Sequence, residues 1–205
     1  VDTDNFVVRG STGKDSFLGR NHADVIRGGA GDDRIYGRTD YFSTIGDRLI
    51  GGDGNDKIIG SNGHDAIYGG NGDDRMRGMS GQDIIKGGAG SDIISGDGYC
   101  DKLWGDSGDD FLNGGRDNDT LSGGTGDDEL WGGWGIDRFI FENDAGDDVI
   151  GDFKPGKAGK DLIVFGDIGF ESFGHVMDHP TQVTGGVMIT YDEGSLFGAC
   201  AAVAT

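Results

Sequence analysis

Carboxylates recur along this chain at a fixed interval. Asp15, Asp24, Asp33, Asp47, Asp56, Asp65, Asp74, Asp83, Asp92, Asp101, Asp110, Asp119, Asp128 and Asp137 follow one another every nine residues, with a longer step only before Asp47. Asp148 is a looser fifteenth beat. Two positions after each stands an apolar residue, from Phe17, Ile26 and Ile35 to Leu130, Phe139 and Ile150. Four or five positions before most of them stands a glycine or a glycine pair. One oxygen-bearing side chain repeated this regularly serves a stack of cation sites, not a single catalytic pocket. Calcium suits it, because it takes about six to eight hard oxygens at ~2.3–2.6 Å from carboxylates and backbone carbonyls.

The clearest units are Gly28–Tyr36 "GGAGDDRIY", Gly51–Ile59 "GGDGNDKII", Gly69–Arg77 "GGNGDDRMR" and Gly87–Ser95 "GGAGSDIIS". They match the calcium-binding β-helix nonapeptide G-G-x-G-x-D-x-U-x, where U is apolar. Fourteen consecutive units can be phased between Gly10 and Ile140. Glycine reaches positive φ without a Cβ clash, so the first four positions turn tightly and aim carbonyls inward. Positions 7 to 9 then form a short strand whose side chains alternate between faces. Position 8 is apolar throughout and faces the interior. Position 7, which includes Arg34, Lys57, Arg75, Lys102, Glu129 and Arg138, faces water. Two units make one coil, so the repeat predicts about seven coils stacked ~4.8 Å apart. Odd units line one edge and even units the other.

The edges differ in sequence. Every odd-edge turn keeps glycine at position 4. On the even edge position 4 is His22, Tyr99 or Asp117 in three turns, and the turn from Gly37 to Asp47 carries about five extra residues. This predicts a nearly continuous cation column on the odd edge and gaps on the even edge, where the Ser61–Asp65 and Met79–Asp83 turns look best preserved. Carboxylates ~4.8 Å apart repel by about 1 kcal/mol in water and several-fold more at an interfacial dielectric. One apolar side chain per unit is a thin core against that repulsion, so metal is expected to be a component of the fold.

Composition agrees. The chain has 205 residues, 44 of them glycine, with 37 acids against 17 bases and a net charge of −20. Low hydropathy and high charge lie near the disordered range, and the in-phase apolar residues argue for order that is conditional on counterions. Only two prolines and a period of nine exclude collagen. Cys100 and Cys200 are too few for a disulfide framework, and their context gives no reason to expect a bridge. There is no transmembrane run and no signal-peptide pattern at the N-terminus. Val1 opens directly on strand-like sequence, which suggests a piece of something longer. The reading is all-β: an N-terminal strand or cap at 1–9, a calcium-binding parallel β-roll at 10–151, and a β cap at 152–205. That last region contains the strand-like "KDLIVF" and "GVMITY" and is where secretion information would also lie.

Catalytic constellations are weak. His175 and His179 frame Asp178, but position 176 is Val and Pro180 follows, so the helical H-E-x-x-H of zinc peptidases is missing. His22 and His64 read as solvated turn residues. No serine has a histidine and acid that suggest a triad. The chain is therefore expected not to be an enzyme, although a longer parent could carry a catalytic domain. Arg34, Lys57, Arg75 and Arg77 fall on outward positions of neighbouring odd units and predict a basic strip. The bland reading is charge balance against the aspartates; the functional one is contact with an anionic polysaccharide. Tyr36, Tyr68, Trp104 and Trp131 are also outward but are split between faces. Nucleic acid is an unsuitable partner at this net charge.

These repeats resemble the RTX family, the hemolysin-type calcium-binding proteins that Gram-negative bacteria export by type I secretion. The resemblance covers about Gly10 to Phe153, and "FIFENDAGDDVIGDFKPGKAGKDLI" resembles the segment that ends the repeats in serralysin-type peptidases. It implies a parallel β-roll, exported unfolded through the type I machinery and folded by extracellular calcium beside an attached domain. It implies Asp33, Asp56, Asp74, Asp92, Asp110 and Asp128 as odd-edge ligands and Asp65 and Asp83 as even-edge ligands, with Asp15, Asp101, Asp119 and Asp137 in the remaining turns. Carbonyls would come from Gly28, Gly29, Gly31, Gly51, Gly52, Gly54, Gly63, Gly69, Gly70, Gly72, Gly81, Gly87, Gly88, Gly90, Gly105, Gly108, Gly123, Gly124 and Gly126. The chain departs from the family in ending "GACAAVAT" and in placing Cys100 inside a turn.

Overall fold

Strands alternate between two facing sheets. The computed structural model describes residues 6–38, 45–141, 146–154, 160–165 and 187–189. The first sheet contains, in spatial order, Val7–Arg9 (β1), Val25–Ala30 (β3), Arg48–Asp53 (β5), Ala66–Asn71 (β7), Ile84–Ala89 (β9), Lys102–Ser107 (β11), Thr120–Thr125 (β13), Arg138–Phe141 (β15) and Leu162–Phe165 (β17). The second contains Ser16–Leu18 (β2), Arg34–Tyr36 (β4), Lys57–Ile59 (β6), Arg75–Ser80 (β8), Ile93–Gly98 (β10), Phe111–Arg116 (β12), Glu129–Trp134 (β14), Asp148–Ile150 (β16) and Val187–Ile189 (β18). The strand pairs given by the register are parallel. Consecutive strands thus never pair, and each coil contributes one strand to each sheet. This is the parallel β-roll the repeat predicts. Among the described residues no helix is long and apolar enough to cross a membrane.

Most strands outrun the three residues expected. β7 pairs with β9 at Ala66↔Ile84, Ile67↔Ile85 and Tyr68↔Lys86, then again at Gly70↔Gly88 and Asn71↔Ala89. Pairing therefore continues into the glycines of the next unit. Side chains alternate with period two along this longer strand. Asp65, Ile67 and Gly69 point inward, while Ala66 and Tyr68 face outward. The conserved spacing of the repeat thus puts position 6, position 8 and the next position 1 on one inward row. Position 8 builds a core of two facing rows, Ile67, Ile85, Leu103 and Leu121 from the first sheet and Ile58, Met76, Ile94 and Leu112 from the second.

Both ends extend the stack. β1 adds Val7 beside Val25 at the N-terminal end. β17 pairs Leu162 with Arg138, and β18 pairs Val187 with Asp148, so the strands of the 152–205 region continue both sheets. His175, Asp178, His179, Cys200 and most of the expanded turn between Gly37 and Asp47 lie outside the described residues. Cys100 is exposed and free.

The core makes a direct prediction. Leu103 is 0% exposed in the middle of the stack, whereas Trp134 is 78% exposed. In calcium-containing buffer, Leu103→Ala should lower unfolding free energy by about 2–5 kcal/mol. Trp134→Ala should stay within about 0.5 kcal/mol. Denaturant titration of both variants checks this, and equal effects would contradict a core built on the position-8 rows.

Candidate metal centre

The inward aspartates are tied to one another by their own backbones. Asp56 N donates to Asp74 Oδ1 at 2.7 Å, Asp74 N to Asp92 Oδ1 at 2.8 Å, and Asp92 N to Asp110 Oδ1 at 2.7 Å. On the opposite edge Asp65 N donates to Asp83 Oδ1 at 2.8 Å, Asp83 N to Asp101 Oδ1 at 2.8 Å, and Asp101 N to Asp119 Oδ1 at 2.7 Å. Asp15 and Asp33 begin the odd ladder at 2.7 Å, and Asp128 passes it to Asp148 at 2.9 Å. The even ladder ends on Asp161, whose Oδ1 accepts from Asp137 N at 3.0 Å. Asp161 escaped the sequence reading because a long gap precedes it. Ile163, two residues on, repeats the D-x-U pattern and could have revealed it.

This ladder occupies only Oδ1. The Oδ2 atoms of Asp33, Asp56, Asp74, Asp92 and Asp110 on the odd edge are buried with no hydrogen-bond partner. So are those of Asp83, Asp101, Asp119 and Asp137 on the even edge. Enclosed anionic oxygens without a donor are costly and mark a place for an external positive charge. Backbone oxygens converge on them. A Cβ placed on Gly69 would lie 2.2 Å from Asp74 Oδ2 and 2.5 Å from Gly87 O. The same construction at Gly87 meets Asp92 Oδ2 at 2.1 Å and Gly105 O at 2.5 Å. Gly28, Gly51, Gly69, Gly87 and Gly105 at position 1 therefore each leave a cradle between their own carboxylate and the carbonyl of the next coil. Gly123, also sequence-selected, faces its own carboxylate.

Positions 2 and 4 shape the turn. Gly70 has φ +129°, and a Cβ there would lie 2.0 Å from Gly52 O. Gly29, Gly52, Gly88 and Gly124 at position 2 share the left-handed conformation, as do Gly31, Gly54, Gly72, Gly81, Gly90, Gly108 and Gly126 at position 4. Among the described residues no three His, Cys, Asp or Glu side chains form a metal cluster. The donor set is instead one carboxylate oxygen per turn with carbonyls. That suits a hard oxygen-seeking cation such as calcium and not zinc, which favours nitrogen and sulfur.

The turns sort by carboxylate state, not by edge. Tyr99 and Asp117, where the even edge was expected to fail, adopt left-handed φ of 79° and 72°. Their turns keep the Asp101 and Asp119 oxygens open. Asp15, Asp24 and Asp65 differ. Their Oδ2 atoms accept from Ser11 N at 2.7 Å, Arg20 N at 2.5 Å and Ser61 N at 2.5 Å. Gly63 in the Asp65 turn is not left-handed.

A second ladder runs outside the first. Asp73 N donates to Asn55 Oδ1 at 3.0 Å, and Ser91 N donates to Asp73 Oδ1 at 2.9 Å. Gln82 N donates to His64 Nδ1 at 2.7 Å, so His64 is a coil-to-coil acceptor and not merely a solvated turn residue. At the C-terminal end Asp152 accepts from Gly132 N and Gly133 N at 2.9 and 2.7 Å, and Lys154 Nζ donates to Gly133 O. There the chain supplies a cation of its own.

Burial sets the protonation of the inward row. It pushes Asp101, Asp110 and Asp119 up to about 8 and Asp47, Asp74 and Asp83 up to about 7. Asp56, Asp92 and Asp137 rise to about 6 for the same reason. Asp33 and Asp65 are also raised by burial. The N–H from the neighbouring coil opposes the rise, and adjacent carboxylates reinforce it at Asp74 and Asp110. Asp15 is held low by the Ser11 N–H and hydroxyl.

A carboxyl whose folded pKa is raised favours the fold when protonated, and that contribution fades as pH climbs from the unfolded value through the folded one. In metal-stripped buffer the roll should therefore show more β signal in far-UV circular dichroism at pH 4.5 than at pH 8. A bound cation holds the carboxylates ionised, so calcium should abolish this difference. A metal-free protein equally folded at both pH values would contradict the buried-charge account.

Comparison with known proteins agrees with this geometry. The family model for the RTX calcium-binding nonapeptide repeat matches four times, at residues 8–40, 44–76, 68–98 and 104–139. Together these matches span more than half of the chain. No curated protein sequence matches it. With calcium-type cradles on both edges of a parallel roll, and with these matches along it, the chain belongs to the RTX calcium-binding nonapeptide-repeat family.

Proposed function

We propose that this chain is a calcium-gated folding module of a secreted bacterial protein. In this reading the chain leaves the cell unfolded by type I secretion and takes its fold outside, where calcium is abundant. The folded roll then stabilises an attached domain, and its carboxylates serve the metal and the fold, not catalysis. One observation supports this above the others: the interior of the roll holds a row of unpartnered carboxylate oxygens. Bound calcium would neutralise them, and Asp74 with the Gly87 carbonyl illustrates the residues that would hold it.

Far-UV circular dichroism of metal-stripped protein at neutral pH tests the gating. Calcium added at roughly 10⁻⁴–10⁻³ M, the range of extracellular modules, should drive a cooperative coil-to-β transition. Magnesium should do little, because it demands a tighter octahedron and sheds water reluctantly. A β spectrum that survives metal removal unchanged would defeat the gating.

A second reading, a calcium-dependent module for binding anionic polysaccharide at a surface, is favoured by the second sheet. Arg34, Lys57 and Arg75 stand directly opposite one another on β4, β6 and β8, and all three are exposed. Like charges in register are unfavourable without a counter-charge. The strip's other member, Arg77, is already bonded to Asp97. Replacing Arg34, Lys57 and Arg75 together by Ser should leave calcium-induced folding intact and release the protein from an immobilised polyuronate column. Unchanged retention would remove this reading.

A further inference from the structure

Among the described residues, three turns of the roll answer their carboxylate from within the chain. At Asp65 the position-2 residue is Ser61. Its N–H donates to Asp65 Oδ2 at 2.5 Å, and its hydroxyl lies across both carboxylate oxygens, 3.0 Å from Oδ1 and 3.2 Å from Oδ2. Gly63 N in turn donates to Ser61 Oγ at 3.3 Å. Ser11 repeats this pattern at the start of the other edge. Its N–H and hydroxyl reach Asp15 Oδ2 at 2.7 and 2.8 Å, and Gly13 N donates to Ser11 Oγ at 3.2 Å. Such bonds from serine to nearby backbone are a known local alternative to other turn geometries.

The contrast with the open turns is sharp. Position 2 is left-handed in every turn whose carboxylate oxygen is open, whether it is Gly70 at φ 129°, Met79 at 86°, Asp97 at 73° or Asp106 at 77°. Ser11, Arg20 and Ser61 are not left-handed, and their N–H groups turn onto the carboxylate. Position 4 does not decide the matter, because Gly13 and Gly63 are glycines that leave the left-handed region with their turns. The remaining cradle is intact at the closed turn. A Cβ on Gly60 would lie 2.3 Å from Asp65 Oδ2 and 2.6 Å from Gly78 O, close to the values at Gly69.

We propose that the backbone hand at position 2 selects which turns take calcium, and that Ser61 closes the Asp65 turn as a clasp that needs no metal. A left-handed residue directs its N–H away and leaves Oδ2 to the cation. Serine, held by its hydroxyl to the N–H of position 4, presents its own N–H to Oδ2 and occupies the lone pairs a cation would use. The three clasped turns sit in the N-terminal half of the stack, and each clasp is made within its own turn, between residues four apart. This inference rests on the calcium reading above.

Two reciprocal substitutions in the full chain test it. Ser61→Gly frees position 2 to become left-handed, and glycine still permits the closed form, so the fold remains accessible. Met79→Ser offers the clasp to a turn that is now open and already carries a side chain. Bound calcium per chain is measured by equilibrium dialysis and atomic emission at saturating calcium, with circular dichroism confirming the β fold. Ser61→Gly should bind one more ion than the parent and Met79→Ser one fewer. A Ser61→Gly protein with the parental count overturns the switch, whatever Met79→Ser does. A parent chain that binds no calcium overturns the calcium reading and this inference together, so the two failures are told apart.

Discussion

A carboxylate enclosed by protein must find a proton, a donor or a cation, and this chain encloses one in nearly every nonapeptide. The cause is parity. A strand sends alternate side chains to the same face, so an aspartate two residues before a core isoleucine or leucine is carried inward with it. Asp92 and Ile94 share that fate, as do Asp110 and Leu112. The apolar rows cannot be buried without burying the acids. Everything else in the roll follows from settling those charges.

Half of each carboxylate is settled by the fold itself. Oδ1 accepts the N–H of the preceding aspartate on its edge, eighteen residues away in regular coils. That bond is charge-assisted, and it sets the vertical register of the coils as firmly as the strand pairing does. The other half is met in two ways, and Lys154 adds a cation at the C-terminal end without bonding an Oδ2 atom. Most turns leave Oδ2 facing carbonyls, an arrangement that only a cation completes. The Asp15, Asp24 and Asp65 turns bend a backbone N–H onto it. The C-terminal end brings Lys154 to the Gly133 carbonyl beside Asp137. The outer ladder through Asn55, Asp73 and His64 runs with the opposite polarity, its N–H coming from the following coil. Two antiparallel hydrogen-bond columns therefore brace the turns of each edge.

The buried carboxylates are what the proposed calcium gating acts on. The core takes only one fully buried apolar side chain from most strands, and burial lifts the carboxyl groups well above their ordinary range. In the proposed gating the fold is coupled to whatever neutralises them. Protons can do so in acid, and calcium can do so near neutrality by holding the same oxygens in their ionised form. Outside the roll, cross-coil contacts such as Arg48 over Tyr68 and Lys86 over Trp104 cover the first sheet. The second sheet instead presents Arg34, Lys57 and Arg75 in line.

The sequence by itself determined the fold class, the nine-residue unit, the two edges, the position-8 core residues and the identity of the aspartates. All of these are periodic, and a period of two within a period of nine translates directly into faces and coils. It also placed Arg34, Lys57 and Arg75 on one surface, because residues one coil apart must be neighbours. The inward burial of the acids is implicit in the same parity, although charged residues ordinarily face water. Only the tertiary structure decided which carboxylate oxygens stay open. Residue types single out position 4, yet Tyr99 and Asp117 simply turn left-handed, while Ser61 closes the Asp65 turn. Asp161 joined its ladder across a gap that no fixed period could bridge. The reason is that a metal-ready oxygen is defined by the direction of one backbone N–H, and that direction depends on φ at a single turn residue and on the coil stacked against it.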